Sequence, residues 1–142
     1  ASWQREGFVV EFIPLGPGDW EMGCLLQEAY PAVKVHPRLT LDSYAQVFTG
    51  AGLCISMRLH GLIFSALHDC LPVGLNYDPK VRALCTQLKI PCWEIGNIAD
   101  LAAGIEPLVH RAEQHRLDYR RSLEELRSGA MQNRTVLAKV LR

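Results

Sequence analysis

The chain has 142 residues, 49% of them hydrophobic and 21% charged. That balance suits one globular domain with a sizeable core and excludes a disordered chain. Lys and Arg number 15 and Asp and Glu number 15, so no long-range field gathers nucleic acid, and any anion site must be local.

Phe8 to Ile13 predicts the first strand, followed by a Gly/Pro loop from Pro14 to Gly18. Asp19 is placed to N-cap a helix over Trp20–Ala29, which Pro31 ends. The same loop reaches a strand-end edge, so Asp19 is also a candidate for lining a cleft. Val33–Val35 predicts a short strand near a sheet edge, because Lys34 interrupts its apolar run. Leu41–Phe48 predicts a helix with Thr40 or Asp42 at its cap, terminated by Thr49-Gly50-Ala51-Gly52.

Leu53-Cys54-Ile55 is a short apolar run of the kind that makes a fully buried strand. Arg58 and His60 follow at once, then Gly61, then apolar residues at helical spacing: Leu62, Ile63, Ala66 and Leu67. Pro72–Leu75 is strand-like again. Asn76-Tyr77-Asp78-Pro79 ends it, and Lys80 opens the next helix, to Leu88, with Pro79 in its first turn. Val81, Leu84, Cys85 and Leu88 share one face of that helix. Cys92–Ile95 predicts the last strand. Asn97 is placed to cap a helix to Ile105, and Glu106-Pro107 starts another. There Leu108, Ala112, His115, Tyr119, Leu123 and Leu126 form one helical stripe. Gly129 is expected to break it before a helical tail to Leu141. Strand–helix alternation through residue 95 predicts an α/β fold. The expectation is a Rossmann-like sheet of five parallel strands, Leu53–Ser56 central, with helices on both faces and a helical C-terminal tail.

Cys24, Cys54, Cys70, Cys85 and Cys92 are odd in number and contain no C-x-x-C pair. They read as reduced, mostly buried thiols of a cytosolic protein. His36, His68, His110 and His115 lack metal-ligand spacing and read as structural or surface residues, so no metal or cofactor is expected. No apolar run reaches the length of a membrane span.

In an open parallel sheet, ligands bind where strands end and helices begin. Arg58 offers a planar fork that matches carboxylate or phosphate. His60 is an acid/base near neutral pH. Gly61 lets backbone approach a ligand, at a helix start with free N–H groups and a positive dipole end. A cation is disfavoured at a helix start, so Lys80 there points to a bound anion nearby. Asp78 is a capping residue or a cleft residue.

Met57-Arg58-Leu59-His60-Gly61, followed by Tyr77-Asp78-Pro79-Lys80-Val81, resembles the C-terminal part of the polysaccharide pyruvyl transferases, and is most similar to the CsaB type of bacterial cell walls. The resemblance runs from about Val9 to Asn133 and is specific from Met57 to Val81, with twenty residues from His60 to Lys80. Gly52 and Ser56 depart from the family's usual Asp and Gly. The resemblance implies one half of a GT-B-like two-domain enzyme. Residues 1–142 would be its C-terminal Rossmann-like domain, a fragment without the N-terminal domain and inactive alone. It implies phosphoenolpyruvate as donor, held by Arg58, the Leu59 backbone and His60, with Lys80 near the phosphate. The acceptor would be a lipid-linked or polymeric sugar. The product would be a pyruvate ketal, whose charge helps anchor surface-layer proteins. Such an enzyme works in the cytoplasm, or peripherally at the inner face of the membrane. Two other readings stay open: a nucleotide-sugar-dependent glycosyltransferase of GT-B type, for which no Glu stands out to hold a ribose, and a non-enzymatic α/β interaction domain.

Overall fold

The computed structural model describes residues 2–96 and 98–140. The chain divides into two compact units, residues 1–46 and 47–142.

The first unit opens with the one-turn helix α1 (Ser2–Arg5) and then pairs β1 (Glu11–Phe12) with β2 (Lys34–Val35) in parallel. These strands are shorter than the apolar runs predicted. Between them α2 (Asp19–Ala29) packs so closely that a Cβ on Gly23 would meet the Phe12 ring at 2.8 Å and the Val35 side chain at 2.9 Å. Asp19 does not cap α2. Gly18 holds that position at φ 78°, where its missing Cβ removes the steric penalty. The Asp19 carboxylate instead accepts the Leu15 N–H at 3.0 Å, closing the Gly/Pro loop on itself. The next helix, α3 (Leu41–Gly50), is capped as expected by Thr40, whose Oγ1 accepts the Ser43 N–H at 3.3 Å. It runs two residues past Phe48.

The second unit is built on β3 (Leu53–Ser56), α4 (Leu59–Leu67), β4 (Leu71–Asn76), α5 (Pro79–Leu88) and β5 (Cys92–Glu94). All pairings are parallel, in the order β3-β4-β5. The expectation of one five-stranded sheet therefore fails: hydrogen bonding makes a two-stranded and a three-stranded sheet. The centre of the larger one is β4, and Leu53–Ser56 is at its edge. Proline is normally excluded from a central strand, yet Pro72 sits in β4. Gly74 donates to the Pro91 carbonyl at 2.9 Å, and β5 begins only opposite Gly74. Pro72 thus falls before β5 starts, and its missing donor leaves no partner waiting there.

Side-chain alternation along β5 places helices on both faces of this sheet. Cys92 and Gly74 face α4 and α5, since a Cβ on Gly74 would reach Cys85 and, at 3.7 Å, Leu62. Trp93 turns the other way, onto α6 (Ile98–His110), where a Cβ on Gly104 would meet its indole at 2.6 Å. The core joins Leu62 and Ala66 of α4, Leu71 of β4, Val81, Cys85 and Leu88 of α5, Ile90, and Tyr119 of α7 (Ala112–Val140). Phe48 is buried too, its ring centroid 6.0 Å from that of Phe64 with the ring planes tilted by 30°.

Two predicted breaks are absent. The α6 helix continues through Pro107 to His110, and α7 continues through Gly129. The predicted single stripe is split, because the chain turns at Arg111 and leaves Leu108 in α6 and Ala112 to Leu126 in α7. Leu108 and Tyr119 do face inward, 7% and 0% exposed, and Leu126 is at the surface. The expected cap at Asn97 lies outside the described residues. No described helix is long and apolar enough to cross a membrane.

Candidate functional site

The carboxyl edge of the three-stranded sheet is assembled by register. Ser56 is opposite Gly74 and Asn76 opposite Glu94, and parallel neighbours lie about 4.8 Å apart. The β3–α4 and β4–α5 junctions therefore emerge side by side. One carries Arg58, Leu59, His60 and Gly61; the other carries Asp78 and Lys80. Asp19 belongs to the first unit.

At the first junction Arg58 is the N-cap residue of α4, with extended backbone at φ −88° and ψ 128°. Buried Ser56 shapes this turn: its Oγ accepts the Arg58 N–H at 3.0 Å and donates to the Arg58 carbonyl at 3.0 Å. The helix starts at Leu59, so Gly61 lies inside its first turn and does not open it. The Gly61 N–H is already bonded to the Arg58 carbonyl at 3.1 Å, and its carbonyl accepts from Ser65 Oγ. Direct backbone approach at Gly61 is thus taken up by the helix. The amides of Leu59 and His60, at the first two helical positions, lack acceptors within the helix by construction. Arg58 is half-buried and His60 exposed.

The second junction is closed differently. Asp78 N-caps α5, its Oδ1 accepting the Lys80 N–H at 2.8 Å, and Pro79 has no N–H to offer. The capping reading of Asp78 is the one observed. Little backbone donor capacity remains at this helix start, and the cap adds a negative charge. An anion here would be held by the exposed Lys80 ammonium rather than by α5 amides.

Three further residues at this edge escaped sequence reading. Glu94, at the end of β5, accepts from Asn76 Nδ2 with both oxygens at 3.0 Å and pairs with Arg82 of α5. Asn76 Oδ1 is buried and has no hydrogen-bond partner among the described residues. Only strand register reveals the group, because Asn76, Arg82 and Glu94 are far apart in the chain and belong to different elements.

The cysteines are all free thiols. Burial pushes Cys54, Cys70 and Cys85 up, Cys85 to about 12. Cys92 is exposed. Of the four His read as non-catalytic, His68 follows the far end of α4, His110 ends α6 and His115 lies in α7. His36, in the first unit, is 7% exposed and bonds Glu11, which also pairs with Lys34 at 3.3 Å.

No family model matches the chain, and neither does any curated protein or solved structure.

Proposed function

We propose that the carboxyl edge of the three-stranded sheet binds phosphoenolpyruvate, and that the chain serves transfer of its pyruvyl group to sugar hydroxyls of a cell-wall polysaccharide precursor. One observation carries the reading. Two neighbouring parallel strands each end at a helix start bearing a cation, Arg58 beside His60 on one and Lys80 on the other. The resemblance of Met57–Gly61 and Tyr77–Val81 to pyruvyl transferases supplies the substrate.

The donor carries a carboxylate and a phosphate. Arg58 suits the carboxylate or phosphate as a fork, and Lys80 offsets phosphate charge as a point charge. Ketal formation adds a proton to the enol carbon, lets one sugar hydroxyl attack the adjacent carbon, and expels phosphate as the second hydroxyl closes the ring. His60, exposed at the helix start, suits the acid/base part. The acceptor side belongs to a second domain of a GT-B-like enzyme, so these residues alone bind donor without turning it over.

A nucleotide-sugar-dependent glycosyltransferase is the second reading, because Glu94 is a carboxylate at the edge where such a group can hold a ribose. Its engagement by Asn76 and Arg82 disfavours that role. Calorimetric titration separates the two. Phosphoenolpyruvate is expected to bind, and Arg58→Ala or Lys80→Ala to weaken it about tenfold to a hundredfold, as for loss of a charge-assisted bond of about 1.5–3 kcal/mol. Binding of UDP-sugars with indifference to phosphoenolpyruvate would overturn the proposal.

A further inference from the structure

Gly74, in the middle of β4, has two sulfurs packed against the place where a side chain would be. A Cβ there would collide with Cys85 Sγ and lie 3.4 Å from Cys92 Sγ. Cys92 is the residue of β5 opposite Gly74, so its side chain points to the α5 face, on the side where a Gly74 Cβ would stand. The two sulfurs therefore flank one and the same site, the missing side chain of Gly74. They differ sharply in access: Cys85 is 2% exposed, whereas Cys92 is exposed. Their sequence positions are seven apart and they belong to different elements, so only the β4–β5 register and the absent side chain at Gly74 bring them together.

We propose that Cys85 and Cys92 are an oxidisable thiol pair, a modification site that takes low-molecular-weight disulfides as its reactant. The Cys92 thiolate attacks one sulfur of the reagent, forming a mixed disulfide and releasing one small thiolate. Cys85 then loses its proton and attacks the Cys92 sulfur, closing the Cys85–Cys92 disulfide and releasing the second thiolate. Two protein thiols are oxidised, one disulfide reagent is reduced to two thiols, and no other oxidant is needed. Burial holds Cys85 protonated well above neutral pH, so closure is the slower step. The bond ties the body of α5 to the start of β5, on the helix whose first turn carries Lys80. This inference is independent of the donor proposed above.

The test is to incubate the reduced chain with oxidised glutathione at mildly alkaline pH, alkylate the remaining thiols and map the peptides. Trypsin cuts after Arg82 and Lys89, which puts Cys85 and Cys92 on separate peptides. The expected product is a linked pair of these peptides, released by dithiothreitol. Cys92→Ser, a change at an exposed position, is expected to abolish the link while the protein stays folded by circular dichroism. Cys85→Ser is expected to leave the glutathione adduct on Cys92. A wild-type protein that ends with Cys85 still open to alkylation, or with a link between other cysteines, would overturn the proposal.

Discussion

Ser56 and His60 illustrate how much of the candidate site depends on single side chains. Ser56 holds Arg58 through both its N–H and its carbonyl. Ser56→Ala is expected to lower stability by about 1 kcal/mol, the usual worth of such a bond, and to weaken donor binding several-fold by freeing the Arg58 turn. A urea curve and a phosphoenolpyruvate titration measure the two effects. Unchanged donor affinity would show that the turn does not position Arg58. For His60 the proposal requires a different signature: in an enzyme with its acceptor domain present, His60→Ala lowers turnover more than donor affinity, because proton transfer belongs to the transition state. Near-normal turnover would remove His60 from the mechanism. The cations and the imidazole were legible in the sequence because residue type at a strand end carries their chemistry. Ser56, Asn76, Arg82 and Glu94 were not. Ser56 acts by a local turn bond; Asn76 and Glu94 meet through β4–β5 register, and Arg82 reaches Glu94 from α5.

At the scale of elements, helix starts and strand contacts explain both the successes and the misses. The junctions at Ser56–Leu59 and Asn76–Pro79 followed from short apolar runs, capping chemistry and Pro79. Pro107 misled because an interior penalty of about 3 kcal/mol is local, whereas neighbouring Leu108 is buried and holds α6 by packing. Gly129 lies among exposed residues of α7, where its interior penalty is only about 1 kcal/mol. The single sheet failed for another reason. Apolar runs announce strands but not their hydrogen-bond partners, and β1 and β2 contribute only two residues each. Two substitutions test the element contacts. Gly74→Ala drives a methyl into Cys85 and is expected to lose about 1–3 kcal/mol by overpacking, read as a lower urea midpoint. Asp78→Ala removes the α5 cap and is expected to lose about 1 kcal/mol, with Asp78→Asn retaining most of it. Equal stability of Ala and wild type at either position would contradict the packing or the cap described.

Across the whole molecule, buried protons set the response to alkali. Tyr119 is fully buried, donates to the Cys70 carbonyl at 3.3 Å, and is pushed up to about 12 chiefly by burial. Burial likewise raises Cys85 from 9.0 to about 12, and raises Cys54 and Cys70. All four belong to the second unit. Folded, these groups keep their protons; unfolded, they release them near their ordinary values of 9.0 and 10.0. The folded state therefore binds more protons than the unfolded one, and stability falls as pH rises from about 9 towards 12. The acid side has the opposite sign and a smaller size. Hydrogen bonding to Arg120 lowers Asp69, and for Glu11 the bonds and charges of His36 and Lys34 outweigh a burial effect that would raise it. Their contribution is present above the ordinary carboxylate range and is lost as pH falls through the lowered values. The exposed Asp69–Arg120 pair is worth about 0–1 kcal/mol. The expected profile is a shallow acid limb and a steep alkaline one, measured as urea midpoints in an inert atmosphere with reductant present. Tyr119→Phe removes one titrating group and should flatten the alkaline limb between 10 and 12, although it also loses a hydrogen bond at neutral pH. A wild-type midpoint that stays level from pH 8 to 11 would mean that these thiols and the phenol ionise in the folded chain as freely as in the unfolded one, and that the core around β4 admits water.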